Sequence, residues 1–365
     1  MVGGHGYLNW LVENTPTTWW HDSGDPEELR HALSCGASGV TTNPVLTSQT
    51  LRANAEAWAA VLSALPGDLA KDEQAEALMR CVAVNAAGML RPVYDETHGA
   101  QGYVCAQVNP SRAGDRASML SMAQRFGKWA PNITVKLPGT AAGLDVLEDC
   151  IADGISCTVT VSFTVSQTIA TAERYRLGAR RAGRVGKTPP RCFSVLMIGR
   201  LDDYLREVAL DCRSAVTEPD IRQAGLAVTK RSYRIYEERG YEPRLLVAAL
   251  RGPHHVAALA GGRLTMSVHP GIQDMLADAD LPRESGIDAD VAPEAIERLL
   301  TVPDFVRAFE PDGMQPQEFI SYGLTQRTLS QFVESGWAML GSMGLRQAAQ
   351  PRVALPPMLM LVSPT

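Results

Sequence analysis

The amino-acid sequence predicts an α/β protein with a (β/α)8 TIM-type barrel and extra helices at both ends of the chain. Short apolar runs alternate with longer segments whose apolar residues recur at helical spacing, such as Ala141–Ile151 and Val165–Ala182. Eight strands that alternate with helices are typical of a closed parallel sheet. The predicted strands are Thr17–His21, Gly39–Thr42, Tyr103–Val108, Ile133–Leu137, Thr158–Ser162, Phe193–Ile198, Leu245–Ala249 and Leu264–Ser267.

Further helices are predicted outside this repeating pattern. The segment Leu51–Met89 is long enough for two helices before the third strand. After Pro270 the pattern changes, because Leu276–Asp312 is rich in Asp, Pro and Glu and predicts loops with short helices, whereas Gln326–Leu345 predicts a terminal helix. The apolar tail Val353–Val362 is too short to cross a membrane, so we expect it to dock on the domain or to be disordered.

Length and composition are those of a single globular domain. The chain has 365 residues, of which 45% are apolar and 20% are charged, and this is enough for one large core. We therefore expect one domain over residues 1–365, in which residues 271–365 form a helical and loop extension packed on the barrel. The sequence leaves a monomer and a homodimer equally open.

Charge and cysteine usage narrow the function classes. A net charge of −6 and a pI of about 5.7 argue against nucleic acid as a general partner. The sequence has no apolar run of membrane-spanning length and no secretory signal pattern, so we expect no membrane partner and a cytoplasmic location. The seven cysteines are scattered without CxxC pairs, which favours reduced thiols and no zinc site.

Lys136 is the most informative candidate residue. It lies in the predicted strand Ile133–Leu137, where alternation places it on the face opposite the apolar residues. Only five of the 34 basic residues are lysines, which favours a specific role for Lys136 over generic surface charge. An amine held in a polar cavity of low dielectric loses its proton more readily and can form a Schiff base with a carbonyl group. The alternative is an edge-strand lysine whose amine reaches solvent.

Polar residues recur where the predicted strands end. Asp22, Asn43, Gln107, Lys136 and Thr160 all occupy such positions, and the C-terminal face of a parallel barrel carries its chemistry. Each of three residues also has a structural alternative: Asp22 could cap the next helix, Asn43 could form a turn, and Thr160 could be an ordinary strand residue. Their shared position favours a site.

Alternation within the fifth predicted strand separates two chemically different faces. In a barrel, we expect its apolar face to meet the outer helices and its hydroxyl face to line the interior. The apolar face consists of Val159, Val161 and Phe163, and the hydroxyl face of Thr158, Thr160 and Ser162.

Several segments of the sequence resemble the transaldolase family, in particular its long actinobacterial-type branch. They follow the family order from roughly Thr17 to Pro270, and the resemblance implies a barrel that forms a Schiff base on lysine and needs no cofactor. The matching strings are Thr17–Asp25, Gly39–Pro44, Leu90–Asp95 followed by Gln107–Pro110, Ile133–Pro138, Gly154–Thr164 and Ile198–Asp202.

The resemblance also implies a role for individual residues. Lys136 takes the imine-forming place, Asp22 the proton-shuttling place and Thr160 the place of the hydroxyl that holds the catalytic water. Arg200, and in some branches Arg251, takes the place of a phosphate-binding arginine. The full set of implied positions is catalytic Lys136, Asp22, Thr160 and Gln107, and substrate-binding Asn43, Thr42, Thr158, Val195, Arg200 and Arg251.

Several positions depart from the family pattern. Gln107 stands where transaldolases have a glutamate, and a glutamine can hold a water but cannot take its proton. Met197 stands where the fructose-6-phosphate aldolase branch, which also has this glutamine, places a tyrosine. Val195 and Thr158 replace a serine and an asparagine that contact the ketose end, and Ala249 replaces a serine near the phosphate, so we expect altered recognition of the dihydroxyacetone end.

Three functions follow as expectations. The first is transfer of a three-carbon dihydroxyacetone unit between sugar phosphates, as in the pentose phosphate pathway. The second is a specialised paralogue that acts as an aldolase or transaldolase on an unusual sugar phosphate or another carbonyl compound in secondary metabolism. The third is a barrel that binds without turnover. His254, His255 and His269 follow late strands and are candidates for substrate contact or for solvated loop residues.

Overall fold

The computed structural model describes residues 6–344 and has eight parallel strands that close into a barrel. The strands pair in chain order, and β8 closes on β1 in the register Thr18 to Thr265. The predicted (β/α)8 fold is confirmed. The strands are β1 (Thr18–His21), β2 (Gly39–Val40), β3 (Tyr103–Gln107), β4 (Ile133–Pro138), β5 (Cys157–Thr160), β6 (Cys192–Met197), β7 (Arg244–Ala248) and β8 (Thr265–Val268).

Helices precede, surround and follow the barrel. The predicted extra helices at both ends are confirmed, since one precedes β1 and several follow β8. The helices are α1 (Tyr7–Asn14), α2 (Pro26–Ser34), α3 (Pro44–Ala53), α4 (Ala55–Ser63), α5 (Lys71–Glu96), α6 (Arg116–Phe126), α7 (Ala141–Asp153), α8 (Val165–Arg184), α9 (Ile198–Asp211), α10 (Glu218–Arg239), α11 (Pro253–Leu259), α12 (Pro270–Ala277), α13 (Pro293–Leu299), α14 (Pro303–Phe309), α15 (Gly323–Phe332) and α16 (Ala338–Gly341).

The insertion between β2 and β3 packs a second, smaller core on the outside of the barrel. The segment Leu51–Met89 holds α4 and most of α5, together with the end of α3. Trp58 of α4 and Leu78 of α5 are buried in this core, and Leu340 of α16 completes it. The C-terminal part of the described chain is therefore fixed to the insertion.

The predicted terminal helix is present but interrupted. Helical structure runs from Gly323 to Gly341, with a π-helical turn at Val333–Trp337. This turn packs on α3. The predicted end at Leu345 and the apolar tail Val353–Val362 lie outside the described residues.

Alternation along the strands separates interior from exterior as expected. Trp20, Tyr103 and Phe193 meet inside the barrel near its N-terminal end, with Phe193 4.6 Å from Trp20 and 5.5 Å from Tyr103 between ring centroids. One layer above, the Thr134 and Thr158 hydroxyls lie 2.9 Å apart. These layers close the lower barrel, so the only positions left open on β4 and β5 are at their C-terminal ends.

The fifth strand ends earlier than predicted. The predicted end at Ser162 is wrong, because Val161 adopts a φ of +54°, which interrupts the extended backbone. A β-branched residue rarely adopts this conformation. Gln167 holds the turn, since its Nε2 donates to the carbonyls of Gly139 (2.9 Å) and Val161 (3.2 Å).

Gly336 tests how closely the π-helical turn must approach α3. An added Cβ at Gly336 would lie 2.7 Å from Pro44 Cβ and 2.8 Å from the Val45 nitrogen. We expect Gly336→Ala to lower the free energy of unfolding by roughly 1–3 kcal/mol in denaturant titrations, because the helices must move apart.

The matched control is Gly88→Ala in α5, where an added Cβ meets nothing within 4 Å. That change should raise stability by about 0.5–1 kcal/mol through helix propensity. Equal stability of the two variants would contradict the close-packing argument.

Candidate active site

A cavity of about 500 Å³ opens at the C-terminal ends of the strands. Its polar residues come mainly from β1, β2, β4, β5 and β8, and the side of β6 and β7 is apolar. Two arginines and one histidine stand at its edge. The polar lining consists of Asp22, Thr41, Asn43, Gln49, Lys136, Thr160, Ser267, Arg200, Arg251 and His269, and the apolar lining includes Val195, Met197, Leu246, Ala248, Ile272, Met275 and Phe332.

Lys136 points into this cavity from the end of β4. Its side chain is 6% exposed, and its Nζ donates to the Thr42 carbonyl at 3.3 Å. Across residues 6–344, the structure has no carboxylate oxygen within 4.0 Å of this amine. The alternative of a lysine that reaches solvent from an edge strand is therefore wrong, because the closed barrel has no edge and the amine is buried.

Asp22 lies in the same cavity and is held by a hydroxyl chain. Thr41 Oγ1 donates to Asp22 Oδ1 at 2.6 Å, and Ser267 Oγ lies 2.5 Å from Thr41 Oγ1. Because the Thr41 proton is used on Asp22, Ser267 must be the donor to Thr41. The alternative role of Asp22 as a helix cap is wrong, since Asp25 accepts from the backbone of Glu27 and Glu28 at the start of α2.

Asn43 has a structural role at a turn and also lines the cavity. Its Oδ1 accepts from the Val45 and Leu46 backbone amides at 2.9 and 3.0 Å, which caps α3. The cap fixes the side chain at the cavity edge. The amide Nδ2 is the part of Asn43 that is not used by the cap.

The other predicted residues near Lys136 differ in whether they line the cavity. Thr160 lines the cavity, where its hydroxyl has a weak contact of 3.9 Å with Met197 Sδ. Thr42 and Thr158 are fully buried outside the lining, and Thr42 Oγ1 donates to the Cys105 carbonyl at 2.6 Å. The structure thus brings Thr160 to the cavity and places Thr42 and Thr158 behind it.

Gln107 lies beside Lys136 on the neighbouring strand. The two residues are register partners in the β3–β4 pair. Gln107 is 2% exposed, and its Oε1 has no hydrogen-bond partner in the part of the chain that the structure describes. A buried acceptor without a partner is unfavourable, so this oxygen is free to receive a donor next to the amine.

Arg200 is held over the cavity by the C-terminal helix α15. Its Nη1 donates to Gln331 Oε1 at 2.5 Å, and its guanidinium lies 5.3 Å from the centre of the Phe332 ring. Burial, with a smaller contribution from Arg251, lowers the pKa of Arg200. The guanidinium is therefore short of negative charge, which favours an anionic ligand.

Arg251 approaches Arg200 because Gly199 leaves room for it. An added Cβ at Gly199 would lie 2.3 Å from the Ala249 carbonyl oxygen and 2.6 Å from Arg251 Cγ. Arg251 pairs with Asp203 at 2.7 Å and donates to the Ala249 carbonyl at 2.9 Å. Arg251 is thus paired with a carboxylate of the protein, whereas Arg200 has no carboxylate within 4.0 Å among residues 6–344.

The three histidines that follow late strands differ in position. His269 lines the cavity and caps α12 through Nδ1, which accepts from the Gly271 amide at 3.2 Å. His255 is buried, with Nε2 3.3 Å from Asp202 Oδ2 and Nδ1 accepting from the Arg251 amide at 3.2 Å. Burial and the neighbouring His255 lower the pKa of His254 to about 4. Among these residues, His269 is the one that the structure places in the cavity.

Several residues in or next to the site were not predicted, among them Thr41, Ser267, Gln331 and Phe332. Strand alternation could have indicated Thr41 and Ser267, because each lies two residues from another inward position. Gln331 and Phe332 gave no signal, since their contacts with Arg200 span more than a hundred residues of sequence.

Neither a metal-binding cluster nor a membrane-spanning helix is present among the described residues. Residues 6–344 contain no group of three or more His, Cys, Asp or Glu side chains arranged to hold a metal ion. None of the helices in this range has the length and apolar character that crossing a membrane requires.

Fold and cavity together define the class of protein: a (β/α)8-barrel protein whose candidate site lies at the C-terminal ends of the strands. The sequence comparison then gives the family. The chain belongs to the transaldolase/fructose-6-phosphate aldolase family, whose pattern it matches over residues 19–317. The resemblance drawn from the sequence is confirmed.

Individual relatives agree with this family at modest identity. The transaldolase 2 of Nostoc punctiforme is 32% identical over 171 residues, which cover 46% of this chain and 45% of the relative. The transaldolase of the actinobacterium Acidothermus cellulolyticus is 28% identical over 219 residues, which cover 59% and 58%. The chain thus spans about half the length of these two relatives. The transaldolase of Neisseria meningitidis serogroup C is 25% identical over 319 residues, which cover 86% and 82%.

His21, directly before Asp22, predicts a pH dependence of stability. Burial lowers the pKa of His21 to about 4, against the opposing effect of Asp22. In the unfolded chain its pKa is about 6.5, so the unfolded state binds more protons between these two values. The free energy of unfolding should therefore fall as pH drops from about 6.5 towards 4.

Between about pH 7 and pH 4.5, the fall in the free energy of unfolding should be about 2 kcal/mol smaller in His21→Gln than in the unchanged protein. Denaturant titration at each pH measures it. The exposed residue His31 provides the control variant His31→Gln, which should retain the loss. The same pH dependence in both variants would refute the role of His21.

Proposed function

We propose that this protein is a transaldolase-like enzyme that transfers a three-carbon dihydroxyacetone unit between phosphorylated sugars through a Schiff base on Lys136. The observation that carries the proposal is a buried lysine amine in the same cavity as a hydrogen-bonded aspartate, with arginines at the edge. A buried amine of this kind is a nucleophile for carbonyl carbon.

The reaction begins at the ketone of a phosphorylated ketose. Lys136 Nζ attacks the carbonyl carbon, and loss of water gives an iminium ion that accepts electrons. Asp22 takes the proton of the hydroxyl group on the carbon beta to the iminium carbon, and the carbon–carbon bond breaks. An aldose phosphate leaves, and an enamine remains on Lys136. The enamine then adds to the aldehyde of an acceptor aldose phosphate, and hydrolysis frees the lysine.

The surroundings of Asp22 suit a proton acceptor. The donor chain from Ser267 through Thr41 ends on one carboxylate oxygen, Oδ1. The other oxygen remains for the substrate hydroxyl. A positioned acid–base group contributes typically about 10²–10⁴-fold to rate, so this arrangement accounts for a substantial part of the catalysis.

The residues proposed to bind the water of imine formation and hydrolysis differ from the family pattern. Thr160 is proposed to hold the water that leaves and re-enters at the iminium carbon, and among residues 6–344 its hydroxyl has only the weak contact with Met197 Sδ to compete with that water. Gln107 lies beside Lys136 and can hold a water through Oε1, but it cannot take a proton. We infer that formation and hydrolysis of the imine are slower here than with a glutamate.

Arg200 is proposed to bind the phosphate of the substrate, with Arg251 as a second contact. Guanidinium groups bind phosphate through paired charge-assisted hydrogen bonds. Asn43 Nδ2 is proposed to bind a substrate hydroxyl. No organic cofactor is required because the lysine acts as the electron sink. A cytoplasmic location belongs to the same proposal.

The apolar wall favours a second candidate, a specialised paralogue with another carbonyl substrate. β6 and β7 present Val195, Met197, Leu246 and Ala248 to the cavity, so this wall has no side-chain hydrogen bonds for the hydroxyls of a ketose. Hydroxyl groups buried against such a wall lose hydrogen bonds with water that the wall does not replace, which is unfavourable for a polyol chain. In this candidate Lys136 and Asp22 keep their roles.

Exchange between fructose 6-phosphate and erythrose 4-phosphate separates the two candidates. Turnover at rates ordinary for enzymes, on the order of 1–10³ per second, is expected for the first. Borohydride trapping of a ketose on Lys136 without exchange would replace it by the second.

Borohydride trapping tests the nucleophile. Reduction in the presence of fructose 6-phosphate should add the mass of the reduced sugar to the peptide that contains Lys136, because borohydride fixes an imine as an amine. Lys136→Arg should abolish the adduct, since a guanidinium does not form it. Lys71→Arg, which changes an exposed lysine, should leave it in place. An undiminished adduct in Lys136→Arg would refute the proposed nucleophile.

Gln331→Ala tests whether α15 positions Arg200. Loss of the 2.5 Å hydrogen bond should raise KM for a phosphorylated substrate by roughly tenfold, as expected for a weakened charged contact. The kcat should change little, because Gln331 does not line the cavity. Unphosphorylated fructose is the control, since its KM should be the same in both proteins. An equal rise for both sugars would contradict the phosphate role.

A further inference from the structure

A second cavity of about 190 Å³ lies at the opposite end of the barrel. It is bordered by Thr18, Arg244 and Thr265, which begin β1, β7 and β8. Trp20 and Phe193 form its apolar side. This cavity shares no lining residue with the candidate active site, so the proposed catalytic function does not explain it.

Arg244 brings a charge into this cavity without a matching carboxylate. Its Nε donates to Thr265 Oγ1 at 3.0 Å, and its Nη2 donates to the carbonyls of Pro16 (2.8 Å) and Leu264 (3.0 Å). These acceptors are neutral. Among residues 6–344, no carboxylate oxygen lies within 4.0 Å of this guanidinium, and Nη1 has no hydrogen-bond partner. Nη1 therefore remains available to a ligand.

The electrostatic surroundings of Arg244 are positive. Burial, with Arg263 and Arg191, lowers the pKa of Arg244 to about 10. A guanidinium is still charged at neutral pH, so its burial without a counter-charge is unfavourable. A bound anion would relieve this cost.

Arg191 supplies a second cation at the same cavity. It precedes β6, lines the cavity, and forms no side-chain hydrogen bond or ion pair with another described residue. The lining also includes one carboxylate, Glu242, whose Oε2 accepts from Arg176 Nε at 3.2 Å. Because Glu242 is engaged by a third arginine, the cavity keeps a net excess of positive charge.

We propose that this cavity is a binding site for a small oxyanion, a phosphate or carboxylate group held between Arg191 and Arg244. Guanidinium groups match the planar or tetrahedral oxygens of such ligands with paired hydrogen bonds. The available volume admits a single small group, and Trp20 and Phe193 offer apolar contact to whatever carries it. The site is independent of the proposed catalysis at the other end of the barrel.

Calorimetric titration tests the site. The experiment uses a variant with Arg200→Gln and Arg251→Gln, because these changes remove the phosphate contacts proposed for the other cavity. Inorganic phosphate and benzoate are titrated separately, at an ionic strength held constant with sodium chloride. We expect one anion per chain to bind. Tighter binding of benzoate would identify a carboxylate on an apolar body as the ligand type, and tighter binding of phosphate would identify a phosphate group.

The decisive variant adds Arg191→Gln to this background. Arg191 is exposed and makes no internal contact, so the change should not affect folding. We expect Kd to rise about tenfold or more, because a charged hydrogen-bond donor is lost. The matched control is Arg184→Gln at the exposed end of α8, which should leave Kd unchanged. The proposal is overturned if neither anion binds, or if Arg191→Gln and Arg184→Gln have the same effect.

Discussion

Closure of the parallel sheet is the constraint on which the site depends. Once eight strands close, every second residue must point inward. Aromatic rings fill the lower interior, and the hydroxyl pair of Thr134 and Thr158 forms the next layer. The cavity is therefore lined by inward residues near the C-terminal ends of the strands, such as Val195 and Met197 of β6. Lys136 and Thr160 reach the cavity for this reason, and Thr158, two residues earlier, does not.

The placement of charge within the cavity follows from the same geometry. Lys136 Nζ is buried beside the Thr42 carbonyl rather than a carboxylate. Asp22, on the far side of β2 and β3, is instead satisfied by the hydroxyl of Thr41. A direct ion pair would stabilise the protonated amine and occupy the carboxylate. Separation by hydroxyl and carbonyl groups leaves both available to a substrate that lies between them.

Local patterns predicted the strands and the inward residues better than the turns and the distant contacts. Alternation identified Lys136 and Thr160, because each strand is a local unit with period two. Val161 belongs to a residue type with high strand propensity, so its left-handed backbone could not be foreseen. Asp22 and Asp25 are equally good capping types, and only the path of the chain selects Asp25. The contact of Arg200 with Gln331 depends on tertiary packing alone.

The C-terminal helical segment links two sides of the cavity. Its π-helical turn brings Gly336 against Pro44, directly after Asn43. One turn earlier, Gln331 and Phe332 hold Arg200 at the end of β6. Asn43 and Arg200 are the proposed hydroxyl and phosphate contacts; Asn43 caps α3, and Arg200 lies in the first turn of α9. The segment thus contacts Arg200 directly and meets Pro44, the residue next to Asn43. In the proposed function, this segment therefore helps to position the hydroxyl and phosphate contacts from outside the barrel.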